Sequence, residues 1–599
     1  MAPLIIYNNY KLNKITENAS NSFKKTSLVS KKICNLVNPK KIDNMTDTVK
    51  VHCLNTNEVK DVAVGTSLVE LIDHFNVKSK YLITNARVNN KTESLTYRVY
   101  RPKMVEFVDL SDSSAMRTYV RSLCFILGKA VDDILPNAKM YIEHAVAKGY
   151  YFQIESDIPV GIQELDAIRD KMREIVEADM PFVQVEEETT KVVKLFRESG
   201  MEDKACLLET SDALYSRYSK LGDYIDYFYG SLTPSTGYIT IFDIQPHNGG
   251  YLLRVPNREN PVEIEPEVQQ EKLLNVYREH LDFLKISGLD NVGDLNRAIQ
   301  NDRVYEVIQV AEAYQAMQIS DIAKEIARRS KNGVRVVFIS GPSSSGKTTF
   351  RKRLEVQLLV NLLKPVGISL DDYFVERDKT PLDENGNKDY ESLYALDLDL
   401  FEDHMLKLMN GETVELPFYN FVTGKREYRG NFLKMDENSI LIVEGIHGLN
   451  PKLTEHIPEE SKFKVYVSAL TTISLDDHNW IPASDNRLIR RLVRDYHHRG
   501  YSPQDTISRW DSVRRGEDKW IFPFQENADV MFNSAMIYEL AAIRRHVEPI
   551  LMKVPRTVPE YSEAYRLLKF LNYFNYITDR ELPPTSLLRE FVGGSSFRY

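Results

Sequence analysis

The feature that most constrains the fold of this chain is a glycine-rich turn directly behind an apolar, β-branched run. Residues 334–349 read VRVVFIS followed by GPSSSGKTT, which fits the pattern G-x-x-x-x-G-K-T. Gly341 and Gly346 permit backbone conformations that let successive N–H groups point at phosphate oxygens, helped by the N-terminus of the next helix. The pattern therefore predicts a phosphate-binding loop between a strand and a helix at 350–363.

Each position of this loop has an expected role at a nucleoside triphosphate. Lys347 would bring positive charge to the β- and γ-phosphates, and Thr348 an oxygen to Mg²⁺. The residues predicted to contact ATP are Gly341, Pro342, Ser343, Ser344, Ser345, Gly346, Lys347, Thr348 and Thr349. The loop predicts a triphosphate site, and the reaction at that site must be inferred from other residues of the chain.

Composition excludes several classes of protein. A chain of 599 residues is too long for one core, and roughly three to five domains are expected. The net charge of −9 argues against a protein that coats nucleic acid. The four cysteines, at positions 34, 53, 124 and 206, are too few and too scattered for a disulfide framework or a CxxC metal site. A cytoplasmic protein with no membrane span is therefore predicted.

The first residues differ in composition from the rest. Residues 1–44 hold eight lysines, eight asparagines and two acidic residues, Glu17 and Asp43, but no arginine. Mitochondrial presequences favour arginine. We therefore expect residues 1–47 to be a disordered extension, or translation to start at Met45, and a targeting peptide is the alternative.

A small α/β module is predicted over residues 48–110. Strands are expected at 49–54 and 59–64, then a helix opened by a capping box of Ser67 and Glu70, then strands near 81–88 and 97–108. This order resembles a TGS domain, the ubiquitin-like β-grasp module of threonyl-tRNA synthetases and some GTPases. Contact of this N-terminal module with tRNA or RNA is left open.

Residues 111–262 resemble the second, editing domain of threonyl-tRNA synthetases, an α+β fold. The working domain carries two histidines four residues apart on a helix. The matching positions here are Arg121 and Phe125, and neither has an imidazole nitrogen. His144 and His247 are isolated and are interpreted as structural. We therefore predict an editing-like fold without editing chemistry, followed by a helical connector at 263–330.

Two carboxylates follow the next predicted strands. Asp371 comes after a strand at 366–370, and Glu444 after a strand at 439–443. In open α/β sheets, ligands bind beyond the carboxyl ends of the strands, so these side chains should face the γ-phosphate. Asp371 could serve as a base for a substrate hydroxyl or as an Mg²⁺ ligand, and Asp372 only as a loop residue. With Thr348, the two carboxylates predict an Mg²⁺·ATP site.

Further along, residues 487–499 read RLIRRLVRDYHHR. Helical spacing places Arg487, Arg491 and Arg494 on one face, with Arg490 beside them. An arginine face downstream of a phosphate loop suits a lid that closes over the transferring phosphoryl group. Arg491 and Arg494 are therefore candidates for catalysis together with Lys347 and Asp371.

Taken together, these motifs resemble the uridine kinase/phosphoribulokinase family over roughly residues 331–550. The motifs are the phosphate loop, SLDDYF (369–374), LPFYNF (416–421), VEG (443–445) and RRLVRD (490–495). The resemblance implies a C-terminal P-loop kinase domain with a parallel sheet at 331–555 and a helical tail at 556–599. It also implies an ATP-dependent phosphotransferase with Mg²⁺, acting on a small acceptor. Family kinases often oligomerise, which leaves a homo-oligomer open.

The same resemblance assigns residue roles. Asp371 would be the base on a nucleoside 5′-hydroxyl, while Thr348 and Glu444 would hold Mg²⁺ directly or through water. The lid residues on phosphates and ribose would be Arg491, Arg494 and Arg499. Residues near the sugar and base would be Tyr390, Glu391, Tyr419 and Phe421.

Two positions depart from the uridine–cytidine kinase pattern. Gly424 stands where those enzymes have a histidine that reads the base, and Tyr501 replaces a later lid arginine. A lost buried hydrogen bond weakens discrimination between bases. Uridine or cytidine is the first acceptor expected, and a purine nucleoside or a sugar phosphate the alternative. A TGS-linked regulatory or RNA-associated P-loop NTPase is a second class of function.

Overall fold

The computed structural model describes residues 47–384 and 386–598. All but the last residue of the extension predicted at 1–47, with Cys34 and Met45, lies outside the described residues. Within them, no helix combines the length and apolarity needed to cross a bilayer.

The first module is a five-stranded sheet with one helix packed on it. Its strands lie in the order β2-β1-β7-β4-β5, with β1 and β7 parallel and the other pairs antiparallel. The predicted capping box is confirmed, because Ser67 accepts from the Glu70 amide and Glu70 accepts from the Ser67 amide. The elements are β1 (Thr48–Cys53), β2 (Glu58–Ala63), β3 (Thr66–Ser67), α1 (Leu68–His74), β4 (Ile83–Val88), β5 (Lys91–Ser94), β6 (Arg98–Val99) and β7 (Lys103–Asp109).

The second module is built around a long buried helix. One four-stranded antiparallel sheet has the order β13-β14-β9-β8, and a three-stranded one has the order β10-β11-β12. Leu123 and Ile126 of the helix α2 pack with Ile168 of α3 and Phe152 of β9 in one core. The elements are α2 (Ser113–Ile134), β8 (Lys139–Val146), β9 (Gly149–Glu155), α3 (Ile162–Glu177), β10 (Val183–Glu188), α4 (Thr189–Glu198), α5 (Glu202–Glu209), β11 (Tyr215–Leu221), β12 (Tyr224–Asp226), β13 (Asp243–His247) and β14 (Gly250–Arg254).

Three helices then lead to the phosphate loop: α6 (Glu271–Ser287), α7 (Val292–Gln300) and α8 (Val304–Ser330). Their apolar faces belong to the same core as the central strands of the next sheet. Ile319 and Ile326 of α8, for example, pack in one cluster with Val337 and Ile339. These helices are thus part of the packing that supports the phosphate loop.

The third module is a five-stranded parallel sheet in the order β16-β19-β15-β20-β21. All five residues of β15 are buried, as expected for a parallel strand covered on both faces. The elements are β15 (Val336–Ser340), α9 (Lys347–Val360), β16 (Lys364–Ser369), α10 (Leu398–Met409), β17 (Val414–Asn420), β18 (Lys425–Leu433), β19 (Ser439–Glu444), β20 (Lys462–Ser468), α11 (Ala483–Arg494), α12 (Pro503–Ser508), α13 (Trp510–Trp520), β21 (Val530–Asn533) and α14 (Glu539–Leu551).

The C-terminal residues fold back onto this third module. They form α15 (Tyr561–Leu571) and the short α16 (Arg589–Val592). Leu587, Leu588 and Phe591 are fully buried in the same core as the phosphate-loop strand. The mixed α/β fold class predicted from the sequence is confirmed, with an all-parallel sheet at its C-terminal end.

Two element boundaries differ from the prediction for local reasons. The helix after the phosphate loop begins at Lys347 and ends at Val360 instead of spanning 350–363. Its end is fixed by Leu362, which takes a positive φ of 63° that a helix cannot continue. The strand expected at 97–108 is split into β6 and β7 around Pro102, which has no N–H to donate to the sheet.

Candidate active site

The phosphate loop has the backbone geometry that its glycines predict. Gly341 has φ of 156°, and a Cβ there would lie 1.9 Å from the carbonyl oxygen of Val467. Gly346 has φ of 82°, and a Cβ there would lie 2.5 Å from Leu587. Because both positions exclude a side chain, the loop can only keep this shape with glycine.

Lys347 points back into its own loop. Its Nζ donates to the carbonyl oxygens of Gly341 at 2.9 Å and Pro342 at 3.1 Å. Burial lowers the pKa of Lys347, and the charges of Glu444 and Asp371 oppose that effect. The ammonium group is therefore held by neutral carbonyls at the place where the motif puts phosphate oxygens.

Thr348 and Glu444 meet directly. The Thr348 hydroxyl donates to Glu444 Oε1 at 2.8 Å, and Arg351 Nε donates to Glu444 Oε2 at 3.0 Å. The two oxygens come from the start of α9 and the end of β19, as the sheet topology requires. Among the described residues, no group of three or more His, Cys, Asp or Glu side chains could hold a metal. A hydroxyl beside a carboxylate fits Mg²⁺, which takes few protein ligands and fills its shell with phosphate and water.

Asp371 follows β16 at the same edge of the sheet and is exposed. Desolvation by the surrounding protein and the charge of Glu444 raise its pKa, while Lys347 and the arginines Arg499 and Arg494 oppose that rise. A carboxylate with a raised pKa that remains accessible is suited to accepting a proton. Its neighbour Asp372 instead accepts the backbone N–H of Tyr419 at 3.1 Å, so Asp372 supports the β17 strand.

The lid arginines gather around one carboxylate. Asp495 lies 3.2 Å from Arg491 Nε, 2.9 Å from Arg494 and 3.7 Å from Arg499. Arg491 also donates to the Ser343 hydroxyl in the phosphate loop at 2.8 Å. Three guanidinium groups thus share the carboxylate of Asp495. The structure therefore brings the three predicted lid residues together beside the loop.

Arg487 and Arg490 have a different role from the one expected of a lid face. Arg487 is buried against Glu517, at 2.8 Å between Nη2 and Oε2, and donates to the Ser343 carbonyl at 3.1 Å. Arg490 is fully buried, pairs with Glu539 and donates to the Ser344 carbonyl at 3.4 Å. Glu517 and Glu539 already neutralise these two arginines. They therefore support the backbone of the phosphate loop instead of facing a ligand. Sequence spacing cannot distinguish a buried, paired arginine from one that is free for a ligand.

Among the predicted acceptor residues, Glu391 lies near enough to Asp371 for that charge to act on it. Burial raises the pKa of Glu391 to about 7, opposed by Arg491 and supported by Glu517. Tyr390 and Phe421 are exposed, whereas Tyr419 is buried. The rings of Tyr419 and Phe421 meet edge to face at 5.1 Å. An exposed aromatic surface close to a carboxylate is thus available for a small polar acceptor.

The two positions that depart from the family pattern are also explained locally. Gly424 has φ of 69°, and a Cβ there would lie 2.8 Å from the Cβ of Arg377. No histidine could replace it without moving the turn between β17 and β18. Tyr501 is 40% exposed and lies under the guanidinium of Arg509, 4.8 Å from the ring centre.

Two further carboxylates contact the phosphate loop, and no sequence motif marks either of them. Glu517 accepts the Ser343 amide at 3.0 Å. Glu590, from the C-terminal tail, accepts both the amide and the hydroxyl of Thr349. The sequence predicts a helical tail without a functional role, because a short segment remote in sequence carries no motif.

The second module has no imidazole at the two helix positions where an editing site would require one. The Arg121 guanidinium packs against Gly230, where a Cβ would lie 2.5 Å from it. Phe125 stacks on Phe182 at 5.3 Å. His144 stacks on Tyr277 at 3.6 Å, and His247 pairs with Glu267 at 3.2 Å. Aromatic and cationic groups occupy the expected helix positions.

Comparison with known proteins separates the two halves of the chain. Residues 336–540 match the model of the Phosphoribulokinase / Uridine kinase family. A uridine kinase from Halalkalibacterium halodurans is 29% identical over 198 residues, which cover 33% of this chain and 84% of that relative. A solved structure described as a "Possible Uridine Kinase" from Bacillus stearothermophilus covers 36% of this chain and 100% of its own, at 20% identity and a TM-score of 0.25.

The N-terminal region is similar to a different group of proteins. A threonine–tRNA ligase from Desulforamulus reducens is 27% identical over 200 residues, or 33% of this chain. The match spans only 31% of the ligase. Residues 336–540, which contain the phosphate loop, the parallel sheet and the clustered arginines, thus match the phosphoribulokinase/uridine kinase family model, and the region that precedes them is similar to threonine–tRNA ligases.

Proposed function

We propose that this protein transfers the γ-phosphoryl group of ATP to the hydroxyl of a small molecule, and that the acceptor is the 5′-hydroxyl of a nucleoside such as uridine or cytidine. The observation that carries the proposal is the convergence of Lys347, Asp371 and the arginines around Asp495 at one edge of the parallel sheet. A phosphoryl-transfer site needs positive charge around the transferring group and a carboxylate within reach of the acceptor.

The donor side follows from the loop geometry. The glycine-shaped backbone offers N–H groups to the phosphates, and Lys347 can leave its carbonyl partners for phosphate oxygens. Thr348 and Glu444, with Asp371 beside them, would hold Mg²⁺ directly or through water, and the ion would neutralise phosphate charge when bound with ATP.

The acceptor side follows from Asp371. Its carboxylate takes the proton from the acceptor hydroxyl as that oxygen attacks the γ-phosphorus in line with the leaving oxygen of ADP. Arg491 and Arg494 stabilise the charge that spreads over the phosphoryl oxygens. Phe421 and Tyr390 offer ring surface to the acceptor, and Glu391 offers a carboxyl group near its sugar.

The turn at Gly424 bears on the choice of acceptor, because it has no space for a histidine that would read a pyrimidine. A purine nucleoside or a sugar phosphate is therefore the alternative acceptor.

The test is a coupled ADP-release assay of the full chain against a panel of nucleosides and sugar phosphates. We expect one class to stimulate ADP release, and Asp371→Asn to reduce that rate at least ~100-fold while retaining ATP binding, because a general base is lost. Asp372→Asn is the matched control and should act mainly on stability, since Asp372 supports β17. Equal turnover in wild type and Asp371→Asn, or no stimulation by any acceptor, would contradict the proposal.

A further inference from the structure

The C-terminal tail lies directly against the phosphate loop. Leu587 packs on Gly346, and the Arg490 guanidinium lies over the ring of Phe591 at 5.0 Å from its centre. Leu587, Leu588 and Phe591 are fully buried. The backbone of this segment is therefore anchored next to the nucleotide side of the loop.

From this anchored segment, Glu590 reaches the start of helix α9. Its Oε2 accepts from the Thr349 backbone N at 3.2 Å and from the Thr349 hydroxyl at 2.7 Å. The first backbone bond within the helix is made by Phe350, which donates to Gly346 at 3.0 Å. The Thr349 amide thus belongs to the first turn, where N–H groups have no acceptor in the helix.

These donors are the kind that a phosphate-binding helix offers to phosphate oxygens. A carboxylate and a phosphate are both anions that suit the positive end of a helix dipole. The amide and hydroxyl of Thr349 cannot serve both fully at the same time. Glu590 also lies close enough to Glu444 and Arg494 for their charges to act on it, which places it within the electrostatic field of the candidate active site.

We propose that Glu590 is a nucleotide-site residue that competes with the phosphates of the donor for the amide and hydroxyl of Thr349. This inference rests on the proposed function. When nucleotide binds, the carboxylate of Glu590 rotates away while Leu587, Leu588 and Phe591 stay in the core, because exposing three apolar side chains would cost far more than one rotamer change. Without nucleotide, Glu590 caps the helix; with nucleotide, its charge repels the phosphates.

Two opposite effects follow from removing this charge. Glu590→Gln keeps the shape of the side chain and an oxygen acceptor but no longer repels phosphate. We expect ATP and ADP to bind about tenfold more tightly, as one charged contact of this kind is worth. The stability of the nucleotide-free protein should fall, because the helix keeps a weaker cap. A purely structural residue would not give tighter binding together with lower stability.

The experiment uses isothermal titration calorimetry with ATP and ADP, and thermal unfolding without nucleotide, on the full chain. The variants are Glu590→Gln and Glu590→Ala, the second providing a test if the first folds poorly. Glu581→Gln is the matched control: it removes the same charge from the same tail, where Glu581 only accepts the Thr578 amide at 2.9 Å. We expect the control to bind nucleotide like the wild type.

The outcomes separate this inference from the proposed function. If the wild type binds nucleotide and both Glu590 variants bind it no more tightly, the competition is wrong and the kinase proposal stands. If the wild type binds neither ATP nor ADP, the proposed function itself is wrong. Tighter binding in the Glu590 variants and unchanged binding in Glu581→Gln would support the assignment.

Discussion

Two clusters of charged side chains in this molecule differ in how completely their charges are paired. In the phosphate loop, Lys347 donates to carbonyl oxygens at 2.9 and 3.1 Å, and Asp371 is exposed. Between the editing-like module and the kinase domain, Lys204 is 1% exposed and lies 3.1 Å from Asp226 and 2.7 Å from Asp476. The first cluster can take a charged ligand, and the second is already saturated.

The saturated cluster joins two modules. Asp226 ends β12 of the editing-like module, and Asp476 lies in the kinase loop between β20 and the lid helix α11. Burial opposes the charged form of His478, but Asp226, at 2.7 Å, outweighs it and raises the pKa of His478. The buried, paired charges of Lys204, Asp226 and Asp476 serve contact between modules, whereas incompletely paired charges mark the site for chemistry.

The largest expected effect comes from breaking the saturated cluster. Lys204→Met leaves two aspartates buried without their cation, which should cost about 3–5 kcal/mol of unfolding free energy. Denaturant unfolding measures this loss. Lys194→Met is the control, since Lys194 is exposed and its ion pair with Glu198, at 3.6 Å, lies at the surface. If Lys204→Met lowers the unfolding free energy by less than about 1 kcal/mol, the two aspartates do not depend on Lys204 for neutralisation.

The next effect comes from the open cluster. Lys347→Ala should weaken ATP binding by about 2 kcal/mol, the scale of a hydrogen bond to a charged group, and should lower turnover as well. The nucleotide-free protein should keep its stability, because burial of this ammonium is unfavourable. Calorimetry with ATP measures the change, with Lys352→Ala on the same helix as control. Normal protection by ATP in thermal melts would contradict the role of Lys347.

A smaller effect is expected from Glu391, through pH. Its folded pKa of about 7 lies above the reference value of 4.5, so the folded state holds this proton more tightly than the unfolded state. The stability that this proton provides is present below pH 4.5 and is lost as pH rises through 7. Glu391→Gln should therefore be more stable than wild type at pH 8, by about 1–2 kcal/mol, and close to it at pH 5.

Denaturant unfolding at the two pH values measures this difference. Glu376→Gln, in an exposed turn beside Lys379, controls for loss of a surface charge. If the difference in stability between wild type and Glu391→Gln is the same at both pH values, this carboxyl is not desolvated.

The smallest expected effect is none at all. The editing-like module should not deacylate mischarged threonine-type tRNA, because Arg121 and Phe125 provide no imidazole and are packed against Gly230 and Phe182. Release of the amino acid above the spontaneous rate measures this activity. Detectable deacylation would overturn the interpretation of both residues.

Much of the site could be predicted because its chemistry depends on short-range spacing. The glycines of the loop, Lys347 and Thr348 lie within eight residues, while Asp371 follows β16 and Glu444 ends β19 of the same parallel sheet. Parallel strands bring their carboxyl ends to one edge, so these groups meet once the strands are identified. Helical spacing likewise predicts that Arg491 and Arg494 share one face of a helix, and both pair with Asp495.

Other features depend on contacts between distant parts of the chain. Helical spacing grouped Arg487 with the lid arginines, yet Glu517 neutralises it. Glu590 lies 241 positions from Thr349 in sequence, and no local pattern links them. The pairing of Lys204 with Asp476 crosses 272 positions. Such pairs arise from packing and cannot be inferred from the periodicity of either segment.

Local spacing and strand topology are therefore enough to predict the phosphate loop, the order of the modules and the carboxylates at the sheet edge. Which charges remain unpaired follows from the folded chain alone. Neutralisation of a charge depends on the partner that packing brings within about 4 Å, and that partner can come from anywhere in the chain. Packing in this way set the charge partners of Arg487, Arg490, Lys204 and Glu590.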